Sequence, residues 1–193
     1  FPQIFPKAGW VEHDANIIWE TQYQMMINLL AESKVTPNQI LSIGITNQRE
    51  TIVVWDKDTG IPVHNAIVWQ DKRTSAFAQS FRGTPEGEYI IDNTGLIPDA
   101  YFSGTKLKWI LDQDDNRSRN LICGTMDTWL IWKLTEGRSH FTDQTNASRT
   151  MLFNIKSMEW DQKLMRLMDI PQGILPAILP SMADYGYTII DGQ

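Results

Sequence analysis

The chain has 193 residues, 42% of them hydrophobic and 21% charged, the make-up of a folded protein rather than a disordered one. Seventeen Lys and Arg stand against 23 Asp and Glu, a formal charge of −6 with the basic residues dispersed, which argues against a nucleic-acid surface. No run approaches the roughly 18 apolar residues of a membrane span, and FPQIFPKAGW lacks the basic start and small-residue cleavage site of a signal peptide.

A lone cysteine, Cys123 in LICGT, allows no internal disulfide and reads as a buried thiol in a reducing, cytoplasmic compartment. The length suits one domain or a piece of a longer protein. The first residue is not Met, and the chain opens and closes in extended-looking sequence, as a piece cut at both ends would.

In chain order, Asp14 caps a predicted helix over NIIWETQYQMMINLLAES, with Ile18, Met25, Met26, Leu29 and Leu30 at helical spacing and the methionines as core filler. Thr36-Pro37-Asn38 turns into ILSIGIT, a nearly all-apolar run that reads as a strand covered on both faces. The polar NQRE that follows then falls at a strand's carboxyl end, where α/β proteins bind ligands. TIVVWDKDTGIPVHNAIVWQ reads as a hairpin around Asp58-Thr59-Gly60, with glycine at a position needing positive φ.

Further helices are expected from Asp71 to Phe81, around EYIIDN up to Thr94-Gly95, over TKLKWILDQ, and over WLIWKLTEG with Asp127-Thr128 as its cap and Gly137 as its stop. HFTDQTNASRTMLFNI reads as a loop feeding a strand, and MEWDQKLMRLMDIP as a last helix ending before Pro171. No repeat or linker divides the chain.

Arg49 and Glu50 offer a donor and an acceptor for vicinal hydroxyls, and Trp69 and Tyr101 an aromatic face for the C–H edge of a small polyol. An Arg-Glu surface ion pair, a core tryptophan and a loop-anchoring tyrosine are the plainer alternatives. His13, His64 and His140 lack metal-ligand spacing, and Asp114-Asp115 sits in a solvated polar run. Ser103-Gly104-Thr105-Lys106 misses the phosphate-loop pattern because threonine separates glycine from lysine. Thr142-Asp143-Gln144-Thr145-Asn146 could border a cleft or satisfy its own backbone.

GITNQRET, WDKDTG, NAIVWQD, YFSGTKLKWILDQ and TDQTNASRTMLFN, in that order and approximate spacing, resemble the FGGY family of carbohydrate kinases, in its glycerol-phosphorylating branch. The stretch from Tyr101 to Gln113 fits the family's first signature, with Ser103, Lys106 and Trp109 at its characteristic positions. The resemblance implies an α/β fold with a mixed sheet flanked by helices, the ribonuclease-H-like domain of actin-like ATPases, truncated at its N-terminus. It makes Arg49, Glu50, Trp69 and Tyr101 the substrate-binding residues for glycerol.

It also implies transfer of the ATP γ-phosphoryl group to glycerol to give sn-glycerol 3-phosphate, with Mg2+ as counter-ion, in a cytoplasmic enzyme that is a homo-oligomer when complete. Residues 1–193 are then a partial N-terminal, glycerol-binding domain. The family's Asp-x-Gly-Thr-Thr-Ser phosphate loop is expected before residue 1, its Gly-Asp-Gln segment with the catalytic aspartate after residue 193, and its nucleotide-binding domain beyond that. No catalytic residue and no ATP or metal site are therefore expected within the chain, and a sheet edge is expected to stand unpaired. A xylulokinase-like sugar kinase and a non-catalytic polyol-binding or assembly module are the alternative readings.

Overall fold

The strand β2 (Ile52–Asp56) is the centre of the fold, with Ile52, Val53, Val54 and Trp55 all buried. It lies in a computed structural model that describes residues 1–113 and 119–190. The expected hairpin is present: β2 pairs antiparallel with β3 (Ala66–Ile67). The Asp56 carboxylate accepts hydrogen bonds from the backbone N–H groups of Asp58 and Thr59 at 3.1 and 2.9 Å, and Gly60 supplies the positive φ of 69°.

On the far side of β3 lies β1 (Glu12–His13), and on the far side of β2 lies β4 (Leu121–Thr125), giving a four-stranded sheet ordered β1-β3-β2-β4 whose pairings are all antiparallel. β4 is the LICGT stretch, whose five buried residues show no alternation because the sheet is covered on both faces. Cys123 is buried within it, and burial pushes its thiol pKa up.

On one face, Ile52, Val54 and Ile67 pack against α3 (Pro85–Thr94), α4 (Ser103–Leu111) and α7 (Gln162–Leu167) through Ile90, Leu107, Ile110 and Leu164. On the other, Val53 and Trp55 meet α1 (Ala15–Ser33) and α5 (Met126–Leu134) through Ala15, Ile18, Met126 and Trp129. The Trp129 indole N–H donates to the Ala15 carbonyl at 2.9 Å, joining those two helices. Three short strands and two short helices complete the described residues before the C-terminal stretch: α2 (Ser75–Ser80), β5 (Phe141–Asp143), α6 (Gln144–Ala147), and the antiparallel pair of β6 (Phe153–Asn154) with β7 (Glu159–Trp160). Last, β8 (Ala177–Leu179) pairs parallel with β5.

Local caps explain the helix boundaries. Asp14 caps α1 by accepting from the N–H groups of Asn16 and Ile17, Asp161 caps α7 in the same way, and Gly95 closes α3 at φ 70°. Three readings need correction. α5 begins one residue before Asp127, which sits inside its first turn rather than capping it. Asp71 does not start a helix; α2 begins at Ser75.

The third correction concerns residues 40–48, which form no strand: Leu41 is 100% exposed and Ile40 and Ile43 are also exposed. An apolar run becomes a strand only when a neighbouring strand takes its N–H and C=O groups, and no described segment lies beside this one to do so. In α1 Met25 is exposed and Met26 only half-buried, so the methionines are not core filler; Leu29 is exposed too, and only Ala15 and Ile18 of that helix are buried. Asp114, Asp115 and Asn116 lie outside the described residues.

Asp71 instead anchors a buried charge cluster. Its carboxylate accepts from Val11 N–H at 2.7 Å and from the Arg73 guanidinium at 2.8 and 2.9 Å, while Arg73 also reaches Glu12 at 2.7 Å. The Arg73 guanidinium lies over the Trp10 and Trp109 rings, 3.9 and 4.6 Å from their centroids. Removing one partner from such a cluster strands a buried charge, so Asp71→Ala should lower stability by about 3–5 kcal/mol. Leu41→Ala should stay within about 0.5 kcal/mol despite its apolar character. Urea denaturation of the two variants tests the contrast, and equal losses would contradict it.

Candidate functional site

The turn between residues 47 and 51 is held from both sides by its amides. Asn47 Nδ2 donates to Asn146 Oδ1 at 3.0 Å and, more weakly, to Asp127 Oδ1 at 3.4 Å, while Gln48 Nε2 meets His13 Nδ1 at 3.0 Å. Desolvation by burial lowers the His13 pKa. A neutral ring accepting at Nδ1 fits the donor it faces.

Between these anchors the chain turns so that Arg49 is exposed and Glu50 is 3% exposed. Glu50 takes a left-handed backbone, φ 65°, which costs a residue with a Cβ roughly 1 kcal/mol or more. Two contacts hold it there. Ser103 Oγ, in the first turn of α4, donates to the Glu50 carbonyl at 3.1 Å, and Arg149 Nε donates to Glu50 Oε1 at 2.6 Å. The ion pair of Glu50 is therefore with Arg149, 99 residues away, and not with its neighbour Arg49.

Trp69 and Tyr101 are brought together, ring centroids 5.5 Å apart at 57°, with Trp69 37% exposed. The Arg149 guanidinium lies 5.8 Å from the Tyr101 ring and 4.9 Å from that of Phe102. Arg149 thus links the buried Glu50 carboxylate to the Tyr101 ring, which in turn meets the partly exposed Trp69, while Arg49 makes no hydrogen bond or ion pair to a described residue. Arg149 is not among the sequence candidates; no spacing relates it to Glu50, and its signal is its place in TDQTNASRTMLFN, one of the segments that carry the family resemblance.

Lys106 underlies these contacts. Its ammonium is fully buried and donates to the carbonyls of Tyr101 at 2.8 Å and Val68 at 3.5 Å, so one cation ties the segment bearing Tyr101 to the segment bearing Trp69. Desolvation lowers its pKa to about 7, against the opposing pull of the Asp71 and Glu50 carboxylates. The stretch from Ser103 to Lys106 is structural throughout. Thr105 Oγ1 bonds Thr74 Oγ1 at 2.8 Å, and a Cβ on Gly104 would fall 2.7 Å from the Thr150 carbonyl oxygen, so only glycine lets α4 approach that turn.

The polar run from Thr142 to Asn146 is tied to Asp127 and to its own turn. Asp127 is buried, and desolvation raises its pKa against hydrogen bonds from Thr125 and Thr142, the latter at 2.8 Å. Asp143 caps α6, and its burial, which raises its pKa, is outweighed by hydrogen bonds from Ser181, Asn146 and Thr145 that lower it. Desolvation, then the charges of Asp143 and Asp127, push the Tyr185 hydroxyl up to about 12. No group of three or more His, Cys, Asp or Glu among the described residues is placed to hold a metal ion. His140 Nε2 bonds the Cys123 carbonyl at 2.8 Å, and no helix is long and apolar enough to cross a membrane among the described residues.

An antiparallel sheet lies between helical layers, with the Glu50 carboxylate, Arg149 and two aromatic rings linked through successive contacts, and comparison with known proteins gives the class. Residues 1–192 match the N-terminal domain of the FGGY family of carbohydrate kinases, and the chain belongs to that family, whose fold is that of the actin-like ATPases. More particularly, it is 52% identical over 198 aligned residues to the glycerol kinase of Escherichia fergusonii and 54% identical to that of Shewanella pealeana. All of this chain is covered in both, but only 39% and 40% of the relatives. The crystal structure of Plasmodium falciparum glycerol kinase with ADP superposes with a TM-score of 0.92 at 34% identity, over 99% of this chain and 39% of that one. The chain thus spans about two fifths of the length of the curated relatives it matches.

The buried ammonium makes a pH prediction. Below about pH 7 Lys106 carries its proton in both folded and unfolded chains; between about 7 and 10.5 the unfolded chain binds more protons. Stability relative to Lys106→Met should therefore climb as pH rises through that window, the sign required when the unfolded state holds the extra proton. Urea melts of both proteins at pH 7 and 10 measure it, and a flat or falling difference would show that the ammonium is not desolvated.

Proposed function

We propose that this chain is the greater part of the glycerol-binding domain of an ATP-dependent glycerol kinase, acting in glycerol catabolism. The carrying observation is the 52–54% identity, across the entire chain, to proteins named glycerol kinases. The geometry supports it. A triol needs hydrogen-bond acceptors and donors side by side and an apolar wall for its C–H edge. Glu50 offers an ionisable acceptor, Tyr101 and Trp69 the wall, and Arg49 an exposed guanidinium on the same turn.

On this reading the complete enzyme moves the γ-phosphoryl group of ATP to a terminal hydroxyl of glycerol, giving ADP, sn-glycerol 3-phosphate and a proton. The part played by these residues is to hold and orient the triol so that one hydroxyl faces the nucleotide. Among the described residues no group of three or more His, Cys, Asp or Glu could hold a metal ion by itself. ATP, Mg2+, assembly as a homo-oligomer and a cytoplasmic location belong to the proposal for the complete protein.

Two outcomes are expected. Glu50→Gln, which keeps the shape but removes the charge, should weaken glycerol binding by about 10- to 100-fold, the range for a hydrogen bond to an ionised group. Titration calorimetry with glycerol, xylulose and gluconate decides, and preference for a sugar would overturn the choice of substrate. The 193-residue chain by itself should form no glycerol 3-phosphate from ATP, Mg2+ and glycerol in a coupled assay, because it spans about two fifths of its relatives. Turnover at the rate of a complete kinase would refute this.

A further inference from the structure

The Glu50 carboxylate and the Arg149 guanidinium are each only half used. Of the carboxylate, Oε1 accepts from Arg149 Nε, while Oε2 makes no hydrogen bond to a described residue. Of the guanidinium, Nε is engaged and the Nη1 and Nη2 edge makes none. The Arg149 side chain is 28% exposed and that of Glu50 5%. An acceptor oxygen without a partner among the described residues therefore stands beside a pair of N–H donors likewise without one.

That juxtaposition matches a vicinal diol. Each hydroxyl both donates and accepts, so one can give its proton to a carboxylate oxygen while its own oxygen, or its neighbour's, takes an N–H from a planar guanidinium. Placement is rigid at both ends. Arg149 follows α6 on a turn whose next residue, Thr150, accepts from Gly104 N–H at 2.8 Å, and Gly104 belongs to the same first turn of α4 that holds the Glu50 carbonyl through Ser103. The guanidinium is also braced on the Phe102 ring at 4.9 Å.

Resting on the reading that these residues bind a polyol, we propose that Arg149 is a further ligand-binding residue, which orients Glu50 through Nε and donates to the ligand's hydroxyls through its Nη edge. Both halves of the claim favour a forked, planar cation, because a lysine ammonium gathers its three donors on one atom and cannot place them at the fixed spacing of the guanidinium's Nε and Nη edges.

The test is titration calorimetry of the 193-residue chain with glycerol, and with xylulose and gluconate as further probes, on the parent sequence, Arg149→Met, Arg149→Lys, Glu50→Gln and the Glu50→Gln/Arg149→Met double variant. Melting midpoints are recorded beside each. Arg149→Met should weaken binding by about 30-fold or more, Arg149→Lys should recover only part of it, and the double variant should bind within about 3-fold of the weaker single variant, because the two residues act as one unit. A merely structural role would lower the melting midpoint and leave the affinity of the folded protein unchanged, and that result overturns the proposal. Should Arg149→Met fail to fold, Arg149→Lys carries the test, and parent-like affinity in it overturns the proposal equally. Tight binding of xylulose or gluconate in place of glycerol replaces the substrate but leaves Arg149 to be judged on that ligand. Binding of none of the three by the parent chain shows that the polyol reading itself is wrong, and the role of Arg149 falls with it.

Discussion

A buried lysine is the constraint on which the candidate site depends. Taking the Lys106 ammonium out of water costs several kcal/mol, and in the folded chain it finds two carbonyl oxygens and the field of two carboxylates rather than a direct ion pair. The choice of carbonyls matters. One belongs to Tyr101 and the other to Val68, the residue before Trp69, so the bonds that relieve the ammonium also fix the spacing of the two aromatic rings. An apolar residue at this position would remove the desolvation cost and with it the link between two segments that come from opposite ends of α2 and α3.

The helix that carries Lys106 supplies the other half of the site's order. Its first turn offers Ser103 to the Glu50 carbonyl and Gly104 to the turn bearing Arg149, so the strained backbone at Glu50 and the cation facing it are referred to one rigid element. Strain of this kind persists only where neighbours over-determine it. Here the restraints are four: the Asn47 and Gln48 amides before the turn, and Ser103 and Arg149 upon it. A carboxylate held in place without ligand loses little freedom when ligand arrives, which lowers the entropic cost of binding.

What could be read from the sequence was what local chemistry decides. The Asp14 cap, the Asp56 to Gly60 turn, the Gly95 stop and the helix before Pro171 each depend on residues within a few positions of one another. The failures share the opposite property. ILSIGIT has the composition of a covered strand, but pairing is supplied by another segment, and with none beside it Leu41 lies fully exposed. Asp71 reads as a helix start because what holds it lies far off in sequence: Val11 N–H donates to it across 60 residues, and Arg73 beside it is itself tied to Glu12 across 61. Arg149 escaped for the same reason: an ion pair across 99 residues leaves no pattern in a linear reading.

The two arginines around Glu50 are therefore unequal, and the inequality follows from burial. Arg49 is its neighbour in sequence, yet the left-handed turn sends the two side chains apart, leaving the Arg49 guanidinium in solvent. Ordering it against a ligand would cost up to about 2 kcal/mol of side-chain entropy at the moment of binding. Arg149 has met most of that cost on folding, through Glu50 and the Phe102 ring. On the proposed reading one guanidinium is a standing part of the site and the other is recruited by the polyol. A site so divided can keep its carboxylate oriented while empty, and still gain a second cation when it fills.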